Sequence, residues 1–282
     1  MKKELLILDR SICLSSEFKA YKNYEFNKIN WDLLFSCGLK SKSICMLYDK
    51  LIYSNCVKEA PSKYYKLMSA IYIGNHHHNQ VLNNAKKSIS NALAAGGIEI
   101  FDYKNIFMDR DFKNNLMPND VDFVAEKDNA FRINSILKSK GYQIKYVNGK
   151  ASNQKLPVTF DSVFYEKKSI SRYDYPIKID ITYSFQHNYF LESILMDYKK
   201  ENCLKKELVL LLISMIEFYE HINFNMENIS ISDLLKVKRI KIQLNHLNSY
   251  EKDLMIEIAN RYQVISVYSI VNRIIDNYTS IF

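Results

Sequence analysis

The stretch Asn119–Ala125, NDVDFVA, constrains the fold more than any other part of the chain. Val121, Phe123 and Val124 are apolar, while Asp120 and Asp122 stand two residues apart among them. Alternate residues of a strand point to the same face. A strand here puts both carboxylates on one side and commits the other side to a core. Like charges that close repel unless something neutralises them. A hard divalent cation such as Mg²⁺ does so through oxygen ligands. A strand edge facing water is the other solution, and the strand alone does not choose between them.

The 282 residues suffice for one large domain or two smaller ones with real cores. With only 6 Gly and 4 Pro, no long flexible linker is expected, and Asn, Asp, Ser and Lys must make the turns. The formal net charge of +8 is spread over scattered lysines with no dense basic tract. That pattern reads as a solvated surface and makes a nucleic-acid partner less expected. The five cysteines are odd in number and show no C-x-x-C, which fits free thiols in a reducing cytoplasm better than zinc or disulfides. Glu4, Asp9 and Arg10 interrupt the apolar patch near the N-terminus, making it a poor signal peptide. The longest apolar run, Leu208–Ile216, is far short of a membrane span, so a cytoplasmic protein without membrane contact is expected.

Hydrophobic periodicity divides the chain in three. Trp31, Leu34, Ile44, Leu47 and Leu51 follow a helical rhythm broken near Gly38. A long helix is predicted from Ser62 to Ala95, stopped by Gly96 and Gly97. The period then changes. GIEIFDYK alternates with Ile98, Ile100 and Tyr103 on one side, and NDVDFVA follows after a loop. A helix starting at Asp128 and stopping at Gly141 leads into a strand, with two more strands in VTFDSVFYEK and YPIKIDITYSF. Four helical patterns fill the rest, from KKELVLLL to the C-terminal VISVYSIVNRIIDNY. The organisation predicted is α+β: an N-terminal helical region over 1–95, a small mixed sheet with its helix over 96–190, and a C-terminal helical region over 191–282.

Chemistry at Asp120 and Asp122 needs a third acid from a neighbouring strand. IKIDITYSF supplies Asp180 between Ile179 and Ile181. A lone Asp in an apolar strand is costly to bury unless it is paired or metal-bound. An outward-facing edge position is the bland alternative. Three carboxylates on adjacent strands are the equipment of two-metal phosphoryl or nucleotidyl transfer, in which two Mg²⁺ ions about 4 Å apart clamp the attacking and leaving oxygens.

At this point the chain resembles a known family, the uncharacterised nucleotidyltransferases of the DNA polymerase beta-like superfamily. INWDLLFSCGLKSKSICMLYDKL is similar to its N-terminal helices, and NALAAGGIEIFDYKNIF to its "L…G-I-…-L-K-G" segment. PNDVDFVAEKDNAFRINSILKSKGYQ resembles its D-[IV]-D-[LF]-L-V strand, the following helix and "G-[YF]". KIDITYSF is similar to the later acidic strand, and SISDLLKVKRIKIQL and MIEIANRYQV to its C-terminal helices. The resemblance implies a polymerase beta-like mixed sheet and Mg²⁺-dependent transfer of a nucleoside monophosphate from an NTP. It implies that Asp120 and Asp122 bind both metals, Asp180 completes the second site, and Lys104 steadies the phosphates. The sequence departs from the family where its glycine becomes Asn105, and where Pro118 and Asn119 precede the acids. No Gly-Ser pair opening a helix is visible. The acceptor expected is a hydroxyl on a small molecule, peptide or protein. Two other readings follow from the same residues: a nucleotide-binding protein that has lost turnover, which Asn105 favours, and a toxin-like enzyme acting on tRNA or protein, which the positive charge favours.

The remaining candidates read as structural. His76, His77 and His78 fan around a helix instead of sharing the i, i+4 face that metal ligation needs. Asp233 and Ser232 fit a helix cap, and His221 lies in a helical segment. Asp109 and Asp111 flank Arg110 in a predicted loop, which suits a salt-bridged turn.

Overall fold

The computed structural model describes residues 2–12, 21, 25–101, 117, 120–152, 155–157, 160–168, 176–183, 203–224 and 231–281. Four helices come first: α1 (Lys2–Ser11), α2 (Trp31–Lys40), α3 (Ile44–Tyr53) and α4 (Ser62–Ala95). The middle of the chain carries β1 (Ile100–Phe101), β2 (Val121–Ala125), α5 (Ala130–Ser139), β3 (Gln143–Val147), β4 (Lys150–Ala151), β5 (Ser162–Lys167) and β6 (Ile177–Thr182). Four helices follow: α6 (Cys203–Phe224), α7 (Ile231–His246), α8 (Ser249–Arg261) and α9 (Ile265–Ile281). The predicted α+β class is what forms. The chain divides into two compact units, one of Met1–His76, Phe107–Met117 and Asp197–Phe282, the other of His77–Ile106 and Pro118–Met196.

The described part of the first unit is helical. Asn30 caps α2 by accepting a hydrogen bond from the Leu33 amide at 3.1 Å. The helix runs through Gly38 and breaks at Ser41–Ser43, slightly later than its rhythm predicts. Gly38 packs closely on α3 instead: a Cβ there would lie 2.9 Å from Ile44 Cδ1, which would have to turn aside. Phe26, Trp31 and Tyr64 stack in series, with ring centroids 6.0 and 6.2 Å apart. Asp9 of α1 accepts from Lys238 of α7 at 3.1 Å, joining the two ends of the chain within this unit. α6 buries Leu208, Val209, Leu211, Leu212, Ile213 and Met215 on successive faces, which accounts for its continuous apolar run. No helix among the described residues is long and apolar enough to cross a membrane.

The second unit holds a six-stranded sheet in the order β1-β2-β6-β5-β3-β4. β2 and β6 run parallel, and every other neighbouring pair is antiparallel. One face is covered by the last turns of α4, through Leu82, Ile89 and Leu93, and by α5, through Ala130, Ile133 and Leu137. The strands answer with Val121, Phe123, Ile144, Val163, Tyr165, Ile179 and Ile181, all buried. α4 ends where the glycines predict: Gly97 adopts φ +66° and the Ile98 amide bonds back to the Leu93 carbonyl at 2.9 Å.

Three local expectations need correction. α5 starts at Ala130 and not at Asp128, because a 3₁₀ turn over Lys127–Asn129 satisfies the first donors with backbone acceptors, the Asn129 amide reaching the Glu126 carbonyl at 3.1 Å. The first strand is only Ile100–Phe101; Ile98 is buried ahead of it, and Tyr103 lies outside the described residues. β4 was not foreseen. It follows β3 through Asn148 and Gly149, both at positive φ, the pairing that a tight hairpin turn demands.

Tyr165 and Tyr183 lie inside this core, and burial pushes the Tyr165 phenol up to about 12 and the Tyr183 phenol higher still. Neither hydroxyl has a geometrically sound hydrogen bond among the described residues. Both folded-state pKa values lie above the unfolded value of about 10, so their contribution is complete below pH 10 and is lost as pH rises. Stability should fall by roughly 3 kcal/mol between about pH 10 and 12 through Tyr165. Urea melts across this range should show a shallower fall for Tyr165→Phe. Leu137→Ala should cost about 2–5 kcal/mol in the same melts at neutral pH, because α5 cannot slide to fill the space against the sheet.

Candidate functional site

Burial of one sheet face decides where the acids go. Val121 and Phe123 are 5% and 1% exposed, and Ile179 and Ile181 are fully buried. Their sequence neighbours must therefore point to the opposite face. The parallel register pairs Val121 with Ile179, Asp122 with Asp180, and Phe123 with Ile181. Asp122 and Asp180 are direct cross-strand partners, both half-buried, on the face that carries no α4 or α5 residue of the core cluster. Direct partners of this kind have Cβ atoms about 5 Å apart. Asp120 sits in the bend immediately before β2, also half-buried.

The donor set suits a hard cation. All three groups offer only carboxylate oxygens, and two of them are aligned by the ladder itself. Among the described residues no three His, Cys, Asp or Glu side chains converge into a ready-made ligand cluster. The ladder fixes Asp122 and Asp180, while Asp120 stands one residue before β2 begins and lies outside its register. Lys104, Asn105, Pro118 and Asn119 lie outside the described residues, as do Asp109 and Asp111.

The other candidates lie elsewhere in the fold. His76 packs against Tyr72 with tilted rings and centroids 4.4 Å apart. Asp233 falls on the third residue of α7 and Ser232 on the second, inside the helix instead of before it. His221 lies within α6. Cys37, Cys45 and Cys56 are free thiols.

The register also extends the acidic row beyond what the sequence named. On β5, Phe164 is the direct partner of Asp180, and on β3, Tyr146 is the partner of Phe164. Four strands thus place Asp122, Asp180, Phe164 and Tyr146 side by side on one face. The two rings contact each other edge-on, with centroids 5.7 Å apart. The alternation in SVFYEK sets Phe164 out of phase with Val163 and Tyr165, but only strand pairing puts it next to Asp180. Below this row Glu166 pairs with Lys178 across the strands and forms an ion pair with Lys145 at 3.3 Å. Above it, Ser162 pairs with Thr182. A cavity of about 420 Å³ lined by Val81, Ala85, Tyr142, Lys167 and Ile177 opens on the α4 side of the sheet, away from the carboxylates.

The profile of a family described as an uncharacterised nucleotidyltransferase matches residues 27–208, well over half of the chain and all three acids. The chain belongs to this family. No curated protein sequence matches it. A solved structure titled "Structure and function of the polymerase core of TRAMP, a RNA surveillance complex" is similar at 12% identity, with a TM-score of 0.27. The likeness covers 77% of this chain and 63% of that one, so the chain spans less than two thirds of the length of that relative.

A cation held between Asp122 and Asp180 should stabilise the protein. Mg²⁺ at about a hundredfold excess over its Kd should add about 2.7 kcal/mol to unfolding. Calorimetry with and without the ion should show that gain in the wild type and its loss in Asp180→Asn.

Proposed function

We propose that the protein transfers a nucleoside monophosphate from an NTP to a hydroxyl of a small-molecule, peptide or protein acceptor, in a Mg²⁺-dependent reaction. The observation that carries this reading is the pairing of Asp122 with Asp180 on adjacent parallel strands, at half-buried positions, in a chain of a nucleotidyltransferase family.

Asp120 and Asp122 would hold both ions and Asp180 would complete the second site; bound there, Mg²⁺ offsets the charge of the triphosphate and acidifies the acceptor hydroxyl. Asp180 takes the proton of that hydroxyl. The acceptor oxygen forms its bond to the α-phosphorus as the bond to the β-phosphate bridging oxygen breaks. Pyrophosphate departs with that electron pair. Lys104 steadies the phosphates as a point charge. The scattered lysines favour a small-molecule, peptide or protein acceptor over a nucleic acid, because a backbone-tracking groove needs concentrated positive charge.

Pyrophosphate release from each of the four NTPs, with Mg²⁺ and a cell lysate as acceptor source, tests this. The wild type should release it from at least one NTP. Asp180→Asn should slow release by about 10²–10⁴-fold, the range for loss of a positioned base, and Asp122→Ala should bring it to background. Nucleotide binding without release by folded wild-type protein would replace transfer with a binding function.

A further inference from the structure

We infer that the acceptor is a small ring alcohol, its ring seated against Phe164 and Tyr146 and its reactive hydroxyl directed at Asp180. The inference rests on the nucleotidyl-transfer reading above and names the substrate class of the same site. Its basis is the order of side chains across the sheet. In the proposed reaction, Asp122 on β2 serves both ions, and Asp180 on β6 serves only the one at the acceptor hydroxyl. Continuing in the same direction, the next strand presents Phe164 and the one after it Tyr146. The acceptor, and not the NTP, therefore meets the rings.

The rings are placed as a binding surface. Tyr146 is 46% exposed, although an aromatic on a sheet loses water contact readily when a core is available. The core of this unit lies on the other face, where Ile144, Val163 and Tyr165 are buried. Phe164 and Tyr146 contact each other at 5.7 Å on the acid-bearing face. The rings are inclined at 62° to one another, so a ligand ring that stacks on the face of one meets the other at an angle. Direct partners on a sheet have Cβ atoms about 5 Å apart. A hydroxyl borne on a ring over Phe164 then reaches Asp180 without a linker. An acyclic alcohol reaching Asp180 leaves both rings uncovered. Ser162 and Thr182 on one flank, and the Lys145–Glu166 ion pair on the other, supply polar edges for the substituents of such a ring.

The test measures pyrophosphate release with Mg²⁺ and the productive NTP, using tyrosinamide and methyl glucoside as ring acceptors and serinamide and glycerol as acyclic ones. At least one ring alcohol should be accepted in preference to both acyclic ones. Phe164→Ala and Tyr146→Ala should each raise the KM for that acceptor about tenfold or more while leaving the KM for NTP unchanged. Phe164→Leu keeps bulk and removes the flat face, and should behave as Phe164→Ala does if stacking is the cause. Tyr146→Phe should retain wild-type KM. Which ring is accepted separates a phenol from a sugar. Equal use of acyclic alcohols, an unchanged acceptor KM in the Phe164 and Tyr146 variants, or an effect on the KM for NTP alone would overturn the inference while leaving transfer intact. Release with the lysate but with none of the four alcohols would also overturn it, whereas no release with either is failure of the transfer reading. Saturation-transfer NMR of the same four probes then decides the platform separately: ring binding lost in Phe164→Leu supports it, and no ring binding ends it.

Discussion

The structure depends on the burial of one face of the parallel β2–β6 pair. Val121, Phe123, Ile179 and Ile181 lie against α4 and α5 with almost no exposed surface. Each such side chain stabilises the fold by about 1.5–3 kcal/mol relative to exposure. Because the side-chain period of a strand is two, a register slip of one residue on either strand would drive an aspartate into that core. Burying an unpaired carboxylate costs more than the hydrophobic contacts could return. The apolar face therefore locks the register, and the locked register sets Asp122 beside Asp180.

That arrangement opposes two needs. The same ladder that fixes the backbone holds two like charges about 5 Å apart. Local rules are most often broken where a site requires it. The remainder of the row shows the same feature. Phe164 and Tyr146 stand on the acid-bearing face although the opposite face offers a core. Charge and exposed aromatic surface thus occupy one line across four strands.

The helices outside the sheet solve a different problem. In the first unit, Trp31, Leu34, Ile44, Leu47, Leu51 and Met68 form a core with Ile7 and Leu8 of α1. The stacked Phe26, Trp31 and Tyr64 rings belong to it, and Tyr64 donates a hydrogen bond to Asp32. Most aromatic residues here are scaffold. This explains why a chain with 21 tyrosines does not reveal from composition which of them bind anything. Only a ring's place relative to the acids separates Tyr146 from Tyr48 or Tyr165.

The sequence by itself determined the elements and the identity of the acids. Helical periodicity located α4 to its terminal glycines, and the four C-terminal helices, because those patterns repeat over many residues. Alternation exposed NDVDFVA and IKIDITYSF as strands with acids on one face, because a period of two is visible in a single segment. It misplaced the α5 start and missed β4, where short-range turn geometry decides between near-equal alternatives. What only the tertiary structure decided is adjacency. Asp122 and Asp180 are 58 residues apart in the chain, and nothing local says that β2 and β6 are neighbours, that they run parallel, or that their register aligns the two carboxylates. Phe164 beside Asp180 and Tyr146 beside Phe164 are likewise products of strand order. Pairing depends on how distant segments share one core, and that information resides in packing and not in any segment alone.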